Sequence, residues 1–77
     1  MNADQIMQEI REVNLSYLML AQNLIRTDRE QALFRLGISE DTANTLSALS
    51  PAQVLKIASG NTLLCRVRMD DDLVWNL

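Results

Sequence analysis

Apolar side chains dominate residues 14–25, NLSYLMLAQNLI, more strongly than a single buried stripe requires. Their spacing predicts one long helix that starts near Asp4, a favourable N-cap residue, and continues to about Arg26. Leu15 and Met19 form a second apolar patch outside the main arc. The main arc comprises Ile6, Ile10, Val13, Tyr17, Leu18, Leu20, Ala21, Leu24 and Ile25.

The polar side chains of that stretch are few, namely Asn14, Ser16, Gln22 and Asn23. They form a strip that is too narrow for a helix with one side in water. We therefore expect this helix to pack against apolar neighbours on more than one side.

Capping signals predict three short helices after the first. The second can start with either of two capping boxes, Thr27 with Glu30 or Asp28 with Gln31. It ends before Gly37, which suits the left-handed position that follows many helices.

Two serines can open the remaining helices. Ser39 is a suitable cap for the third helix. The stretch SPAQ, residues 50–53, has a Ser cap, Pro at the first helical position and Gln at the third. The predicted helices cover about 4–26, 28–36, 39–48 and 51–59, and the last of them is expected to bury Val54, Leu55 and either Ile57 or Ala58.

The pattern changes after residue 60, where TLLCRVRM alternates apolar and polar positions. This alternation and its β-branched and apolar content predict an extended segment at 61–69. No second strand is predicted, so the backbone groups of this segment need another partner. We expect the segment to pair antiparallel with its counterpart in a second copy, across a two-fold axis.

A chain of 77 residues forms one small domain that is only marginally stable alone. The single cysteine, Cys65, excludes an intrachain disulfide, and without histidine there is no ligand set for a structural zinc ion. We predict no cofactor. Association with a second copy remains the way to complete the core.

Composition also limits the function. The net charge of −3 argues against a protein that binds nucleic acid alone, because Asp70, Asp71 and Asp72 offset the nearby Arg66 and Arg68. No nucleophile with a neighbouring base and no phosphate-binding loop is present, so we do not expect an enzyme. No apolar run reaches the ~20 residues of a membrane span and no signal peptide is recognisable, which favours the cytoplasm.

Three side chains allow two interpretations each. Cys65 is either a small buried apolar residue or meets its copy at a dimer axis, where the two thiols could oxidise. Phe34 is assigned to the core in preference to a protruding anchor for a partner. Trp75 could cover the dimer or bind another protein.

Four stretches, EVNLSYLMLAQNLI, LFRLGIS, LSPAQVLKIA and NTLLCRVR, resemble the FlhD family of flagellar transcriptional regulators. They occur in the same order and together cover the chain from about residue 9 to about residue 70. Several separate motifs in the right order make the resemblance specific.

The resemblance implies an all-helical subunit that dimerises intimately and assembles with FlhC, a zinc-binding protein. The complex would bind upstream of flagellar promoters and contact RNA polymerase. Family members carry a cysteine that matches Cys65 and can bridge the two copies. They typically continue past residue 77, and the part beyond it helps to engage DNA.

We therefore predict an all-α fold, a single domain over 1–77 that forms an intertwined homodimer with segment 61–69 paired across the two-fold axis. We predict a cytoplasmic subunit of a flagellar transcription activator that reaches promoter DNA only through the complex with FlhC. The alternative is an interaction module that binds FlhC or another regulator without activating transcription.

The predicted dimer interface comprises Leu15, Leu18, Met19, Leu20, Leu24, Leu63, Cys65 and Val67. The predicted partner contacts are Asp28, Phe34, Arg35, Asn61 and Trp75, and Arg66 and Arg68 are predicted near DNA.

Overall fold

The computed structural model describes residues 1–65, and four α-helices follow one another in this part of the chain. Their bounds agree with the predicted ones to within about two residues, and residues 1–65 contain no strand. The predicted all-α class is therefore confirmed. The helices are α1 (Ala3–Thr27), α2 (Arg29–Leu36), α3 (Glu40–Ala48) and α4 (Pro51–Ala58).

The N-cap of α1 lies two residues earlier than predicted, at Asn2 and not Asp4, and the helix starts at Ala3. The Asn2 side chain accepts a hydrogen bond from the Gln5 amide at 2.8 Å. The Gln5 side chain accepts one from the Asn2 amide at 3.0 Å. This reciprocal pair leaves Asp4 inside the first turn, where its negative charge interacts favourably with the positive end of the helix dipole.

At the junction between α1 and α2, Asp28 and not Thr27 is the cap, but the predicted capping box is only half formed because the Gln31 side chain accepts from Arg35 and not from the Asp28 amide. Asp28 accepts a hydrogen bond from the Gln31 amide at 3.2 Å and so caps α2. Thr27 remains in α1, where its hydroxyl donates to the Asn23 carbonyl at 2.8 Å. One extended residue, Asp28, therefore ends the long helix and begins the short one.

The remaining caps confirm the sequence analysis. Ser39 accepts from the Thr42 amide, and Ser50 forms the predicted capping box with Gln53. Gly37 follows α2 at φ 66° and ψ 39°, in the left-handed region that other residues enter only with strain.

The core lies along one face of α1, against which α2, α3 and α4 all pack. Its first cluster joins α1 to α2 and α3, and its second joins α1 to α4. The first cluster contains Ala21, Ile25, Ala32, Leu36 and Ala43. The second contains Leu18, Val54 and Ala58. None of the helices in residues 1–65 combines the length and apolar content needed to cross a membrane.

Helix α4 buries Val54 and Ala58, as predicted, but leaves Leu55 53% exposed. Val54 and Ala58 are four residues apart and lie on one side of the helix, whereas Leu55 lies about 100° away. A helix that packs mainly on α1 buries one such side, and the prediction that Leu55 is buried was wrong.

The described part of segment 61–69 is not extended, because the chain bends at residues 61, 62, 64 and 65. This corrects the prediction for residues 61–65. The Asn14 side chain of α1 binds the Thr62 carbonyl and the Leu64 amide, so these two backbone groups do not need a strand partner. Residues 66–69 lie outside the described residues, and pairing across a two-fold axis stays a prediction.

We predict that Gly37→Ala lowers the free energy of unfolding by about 1–2 kcal/mol, because a Cβ atom is strained in the left-handed conformation. Gly60→Ala is the matched control, since its added Cβ would meet the Ile57 carbonyl oxygen at 3.4 Å and its φ is not positive. Urea unfolding followed by circular dichroism measures both. Equal losses for the two variants would contradict the assignment.

Candidate protein-interaction surfaces

Asn14 is the one buried polar side chain among residues 1–65, and it is fully buried. Its Nδ2 donates to the carbonyl oxygens of Ala58 at 3.2 Å and Thr62 at 3.0 Å. Its Oδ1 accepts from the Leu64 amide at 2.8 Å. One amide therefore joins α1 to the end of α4 and to the chain that follows.

The sequence pattern predicts Asn14 in a polar strip of α1, but in the structure Asn14 is buried. Asn14 precedes Leu18 by four residues and Ala21 by seven, so it lies on the same buried face. That spacing was the signal that could have identified it. A buried amide at such a position must find hydrogen-bond partners inside the protein.

Gln22 makes a second link of the same type. Its Nε2 donates to the carbonyl oxygens of Leu46 at 3.0 Å and Leu49 at 3.1 Å, at the end of α3. These carbonyls belong to the last turn of a helix, where intrahelical donors are missing. Asn14 and Gln22 thus hold α4 and α3 against α1, while Ser16 and Asn23 stay exposed.

A continuous row of apolar side chains on α1 remains uncovered in the single chain. We call it the α1 seam. Its positions alternate between intervals of four and three residues, which is the repeat of helices that pair along their length. Half of its members are exposed and half are half-buried. The α1 seam comprises Ile6, Ile10, Val13, Tyr17, Leu20 and Leu24.

Two shallow grooves follow this seam. The first, of about 390 Å³, is lined by Val13, Tyr17 and Leu20 together with Glu12 and Ser16. The second, of about 220 Å³, extends towards the N-terminus and includes Leu63 from the chain after α4. The bend held by Asn14 therefore adds an apolar side chain to the edge of the α1 seam.

The structure separates the residues that were predicted to form one dimer interface. Leu20, Leu24 and Leu63 lie at the α1 seam, but Leu18 is 2% exposed and belongs to the core. Leu18 is therefore unavailable to another chain. Leu15 and Met19 lie on another side of α1, in a groove of about 350 Å³ shared with Gln22, Pro51, Val54 and Leu55.

Helix α2 carries the most exposed aromatic side chain of the described residues. Phe34 is 72% exposed, so its assignment to the core was wrong. Ala32 and Leu36 fill the buried side of this short helix and turn Phe34 outwards. Arg35 is also exposed and donates from Nε to Gln31 at 3.0 Å, and Asp28 is the exposed cap of the same helix.

The other predicted site residues lie after α4 or outside the described residues. Asn61 lies on the exposed turn after α4, where its Oδ1 accepts from the Thr62 hydroxyl at 3.2 Å. Cys65 is half-buried. The predicted positions Arg66, Val67, Arg68 and Trp75 lie outside the described residues.

Charged side chains of the described residues build no recognisable catalytic or metal site. Arg29 forms an exposed ion pair with Glu40 at 2.8 Å and also donates to Asn44, which links α2 to α3. Within residues 1–65, no three His, Cys, Asp or Glu side chains come together as they would around a metal ion. The surfaces that stand out are apolar and fit protein partners.

The chain resembles known proteins over its whole length. A family model described as flagellar transcriptional activator (FlhD) matches residues 1–77. The flagellar transcriptional regulator FlhD of Acidovorax sp. (strain JS42) is 61% identical over 77 residues, which are 100% of this chain and 71% of that protein. The regulator of the same name from Ralstonia nicotianae is 54% identical over 77 residues, covering 100% and 73%. That of Nitrosomonas eutropha is 57% identical over 74 residues, covering 96% and 70%.

We predict that Asn14→Ala lowers the free energy of unfolding by more than about 2 kcal/mol, because it leaves the buried carbonyl of Ala58 and the partly buried backbone groups of Thr62 and Leu64 without their partner. The control is Asn23→Ala at an exposed position of the same helix, which should change it by less than about 0.5 kcal/mol. Denaturant unfolding of both variants measures the two changes in the free energy of unfolding. If Asn14→Ala is no more damaging than Asn23→Ala, the link is not stabilising.

Proposed function

Because the chain belongs to the FlhD family of flagellar transcriptional activators, we propose that it forms a dimer that binds FlhC and regulates transcription from flagellar promoters. The observation that carries this proposal is the family match over residues 1–77, supported by 61% identity across the whole chain. We propose the cytoplasm as the location of the complex, because a transcription regulator must reach promoter DNA there.

The α1 seam is the surface that we assign to the second copy. Leu20 is 58% exposed, Val13 47% and Ile6 43%, and they follow one another along a single helix. Exposed apolar side chains in a continuous row typically mark a protein interface. The α1 seam, with Leu63 at its edge, provides such a row over most of the 25 residues of α1.

The size of the subunit explains why this dimer would be obligate. Helices α2, α3 and α4 have eight, nine and eight residues, and helices of this length are not stable alone in water. They cover one side of α1, so the rest of its apolar surface needs a partner chain. Obligate dimer interfaces often bury ~2,000 Å² or more and resemble a divided core.

The exposed end of α2 is the surface that we assign to FlhC. Phe34 provides an aromatic anchor with Arg35 beside it, and Asp28 provides a charge at the opposite, N-terminal end of the helix. Exposed aromatic and arginine side chains are the types that contribute most to binding energy at protein interfaces. The α1 seam would remain free for the second copy, so both partners could bind together.

Promoter DNA would be reached through the complex and not by this chain alone. The whole chain has 10 acidic and 7 basic side chains, a balance that disfavours autonomous binding to phosphates. The alternative function, a module that binds FlhC without activating transcription, has the same fold and the same surfaces. A gel-shift with a flagellar promoter separates them, because only the first function retains DNA specifically when FlhC is added.

We predict that Leu20→Asp raises the dissociation constant of the dimer by at least about 100-fold, because it places a charge in the apolar interface. Leu55→Asp is the matched control, since Leu55 is 53% exposed but lies in the groove between α1 and α4. Sedimentation equilibrium measures both variants, with circular dichroism to report folding. If the Leu20→Asp chain is unfolded or aggregated, the result also agrees with an obligate dimer. A dimer as tight as that of the unchanged chain would exclude the α1 seam as the dimer interface.

We predict that Phe34→Ala weakens the binding of FlhC by at least about tenfold and leaves the homodimer intact, because it removes an exposed anchor of α2. Met19→Ala, which shortens another exposed apolar side chain on a different surface, is the control. Co-purification with FlhC and sedimentation of the variant alone provide the two readings. Unchanged FlhC affinity would place the contact elsewhere.

A further inference from the structure

A groove between α1 and α4 lies on a different side of α1 from the α1 seam, and the proposed function leaves it unoccupied. We call it the α1–α4 groove. Its volume is about 350 Å³, and its apolar lining comes from both helices. Met19 and Leu55 are each 53% exposed, so much of this apolar surface meets water in the single chain. The groove is lined by Leu15, Met19, Gln22, Pro51, Val54 and Leu55.

A second groove, of about 330 Å³, continues the first towards the N-terminus of α1. Arg11 of the second groove precedes Leu15 of the first by four residues. Ser59 likewise follows Leu55 by four residues. Each helix therefore turns one side to both grooves, which together form one long cleft. The second groove is lined by Asp4, Met7, Gln8, Arg11 and Ser59.

Two arginines flank the α1–α4 groove along α1. Arg11 lies one turn before Leu15, and both side chains line the cleft. Arg26 is exposed and lies one turn after Gln22. Because both intervals are four residues, the arginines share the side of α1 that lines the groove. They are about 22 Å apart along the helix, one at each end of the groove.

The basic side chains around this groove lack a partner within the described residues. Arg29 and Arg35 are bound by side chains of α3 and α2. Three other basic side chains make no ion pair or hydrogen bond with residues 1–65, namely Arg11, Arg26 and Lys56. Arg26 and Lys56 lie in the last turns of α1 and α4, where a positive charge favours the helix dipole. Arg11, in the middle of α1, has no such role.

Acidic side chains of the described residues do not neutralise the two ends of the groove. Asp4 lies seven residues before Arg11, about 10 Å away along the helix. Glu12 accepts a hydrogen bond from Gln8 at 3.4 Å and lines the groove of the α1 seam. The α1–α4 groove therefore combines an apolar centre with a positive charge at each end.

We propose that the α1–α4 groove binds an amphipathic helix of a partner protein that carries acidic residues in its first and last turns. A cleft between two helices accepts a third helix whose apolar side chains recur at intervals of three and four residues. These would cover Leu15, Met19 and Leu55, while the terminal carboxylates would pair with Arg11 and Arg26. This partner is additional to the second copy and to FlhC, which are assigned to other surfaces.

Binding of a synthetic peptide to the full 77-residue chain tests this proposal. The probe is a labelled helical peptide of about 15 residues, which spans the distance between the two arginines. It has Leu at every third or fourth position and Glu in its first and last turns, and the control peptide has Lys in place of Glu. Fluorescence anisotropy should give the acidic peptide a dissociation constant at least about tenfold lower than that of the basic peptide. Since the chain has a net charge of −3, a non-specific charge effect would favour the basic peptide instead.

Variants of the cleft provide the second reading. Leu55→Asp should weaken binding of the acidic peptide at least about tenfold, because it places a carboxylate in the apolar centre of the groove. Arg11→Glu combined with Arg26→Glu should reverse the preference between the two peptides. Thr45→Glu adds a carboxylate at an exposed position of α3 and is the control that should change neither affinity. Circular dichroism checks folding, and the arginine variants retain the test if Leu55→Asp does not fold.

Several results would overturn the proposal. These are equal affinities for the two peptides, no binding at about 100 μM peptide, or binding that is lost in Phe34→Ala and kept in Leu55→Asp. A Leu55→Asp chain that no longer dimerises in sedimentation would show that a second copy occupies the groove. A shift in the emission of Trp75, the single tryptophan, in Leu55→Asp without peptide would assign the groove to residues 70–77 of this chain. None of these readings depends on FlhC, so its proposed binding stands or falls separately.

Discussion

Helices of eight or nine residues need tertiary contacts to persist in water, and three of the four helices of this chain are of that length. Each of them packs on α1, which has 25 residues and supplies a face for all three. This dependence on α1 explains why the core consists of small and branched side chains between one side of α1 and the three short helices. It also leaves other apolar sides of α1 uncovered, and the surfaces assigned to a second copy follow from that.

Two amides determine which sides of α1 are covered. Asn14 binds the end of α4 and the following chain, and Gln22 binds the end of α3. Both use carbonyl groups at or beyond the end of a helix, which have no partner inside that helix. Because hydrogen bonds are directional, these contacts fix the position of the short helices more narrowly than apolar packing would. Leu63 is placed at the edge of the α1 seam as a result.

The proposed function assigns two separate surfaces of the subunit to two different partners. The α1 seam is the surface proposed for a second copy, while Phe34 on α2 points away from the core and is proposed for FlhC. Separate surfaces allow binding of FlhC without competition with dimerisation.

The sequence alone predicted the all-α class, the helix bounds, the caps at Ser39 and Ser50 and the turn at Gly37, because these depend on side chains within a few residues of one another. The family was likewise recognisable from motifs along the chain. Tertiary structure decided which apolar side chains are buried: Leu18 lies inside, Phe34 and Leu55 lie outside, and Asn14 lies in the core although amides usually stay exposed. A helix with apolar residues on several sides gives no local signal for which side its neighbours will cover. Only the contacts made by residues distant in sequence, such as Asn14 with Leu64, determine that choice.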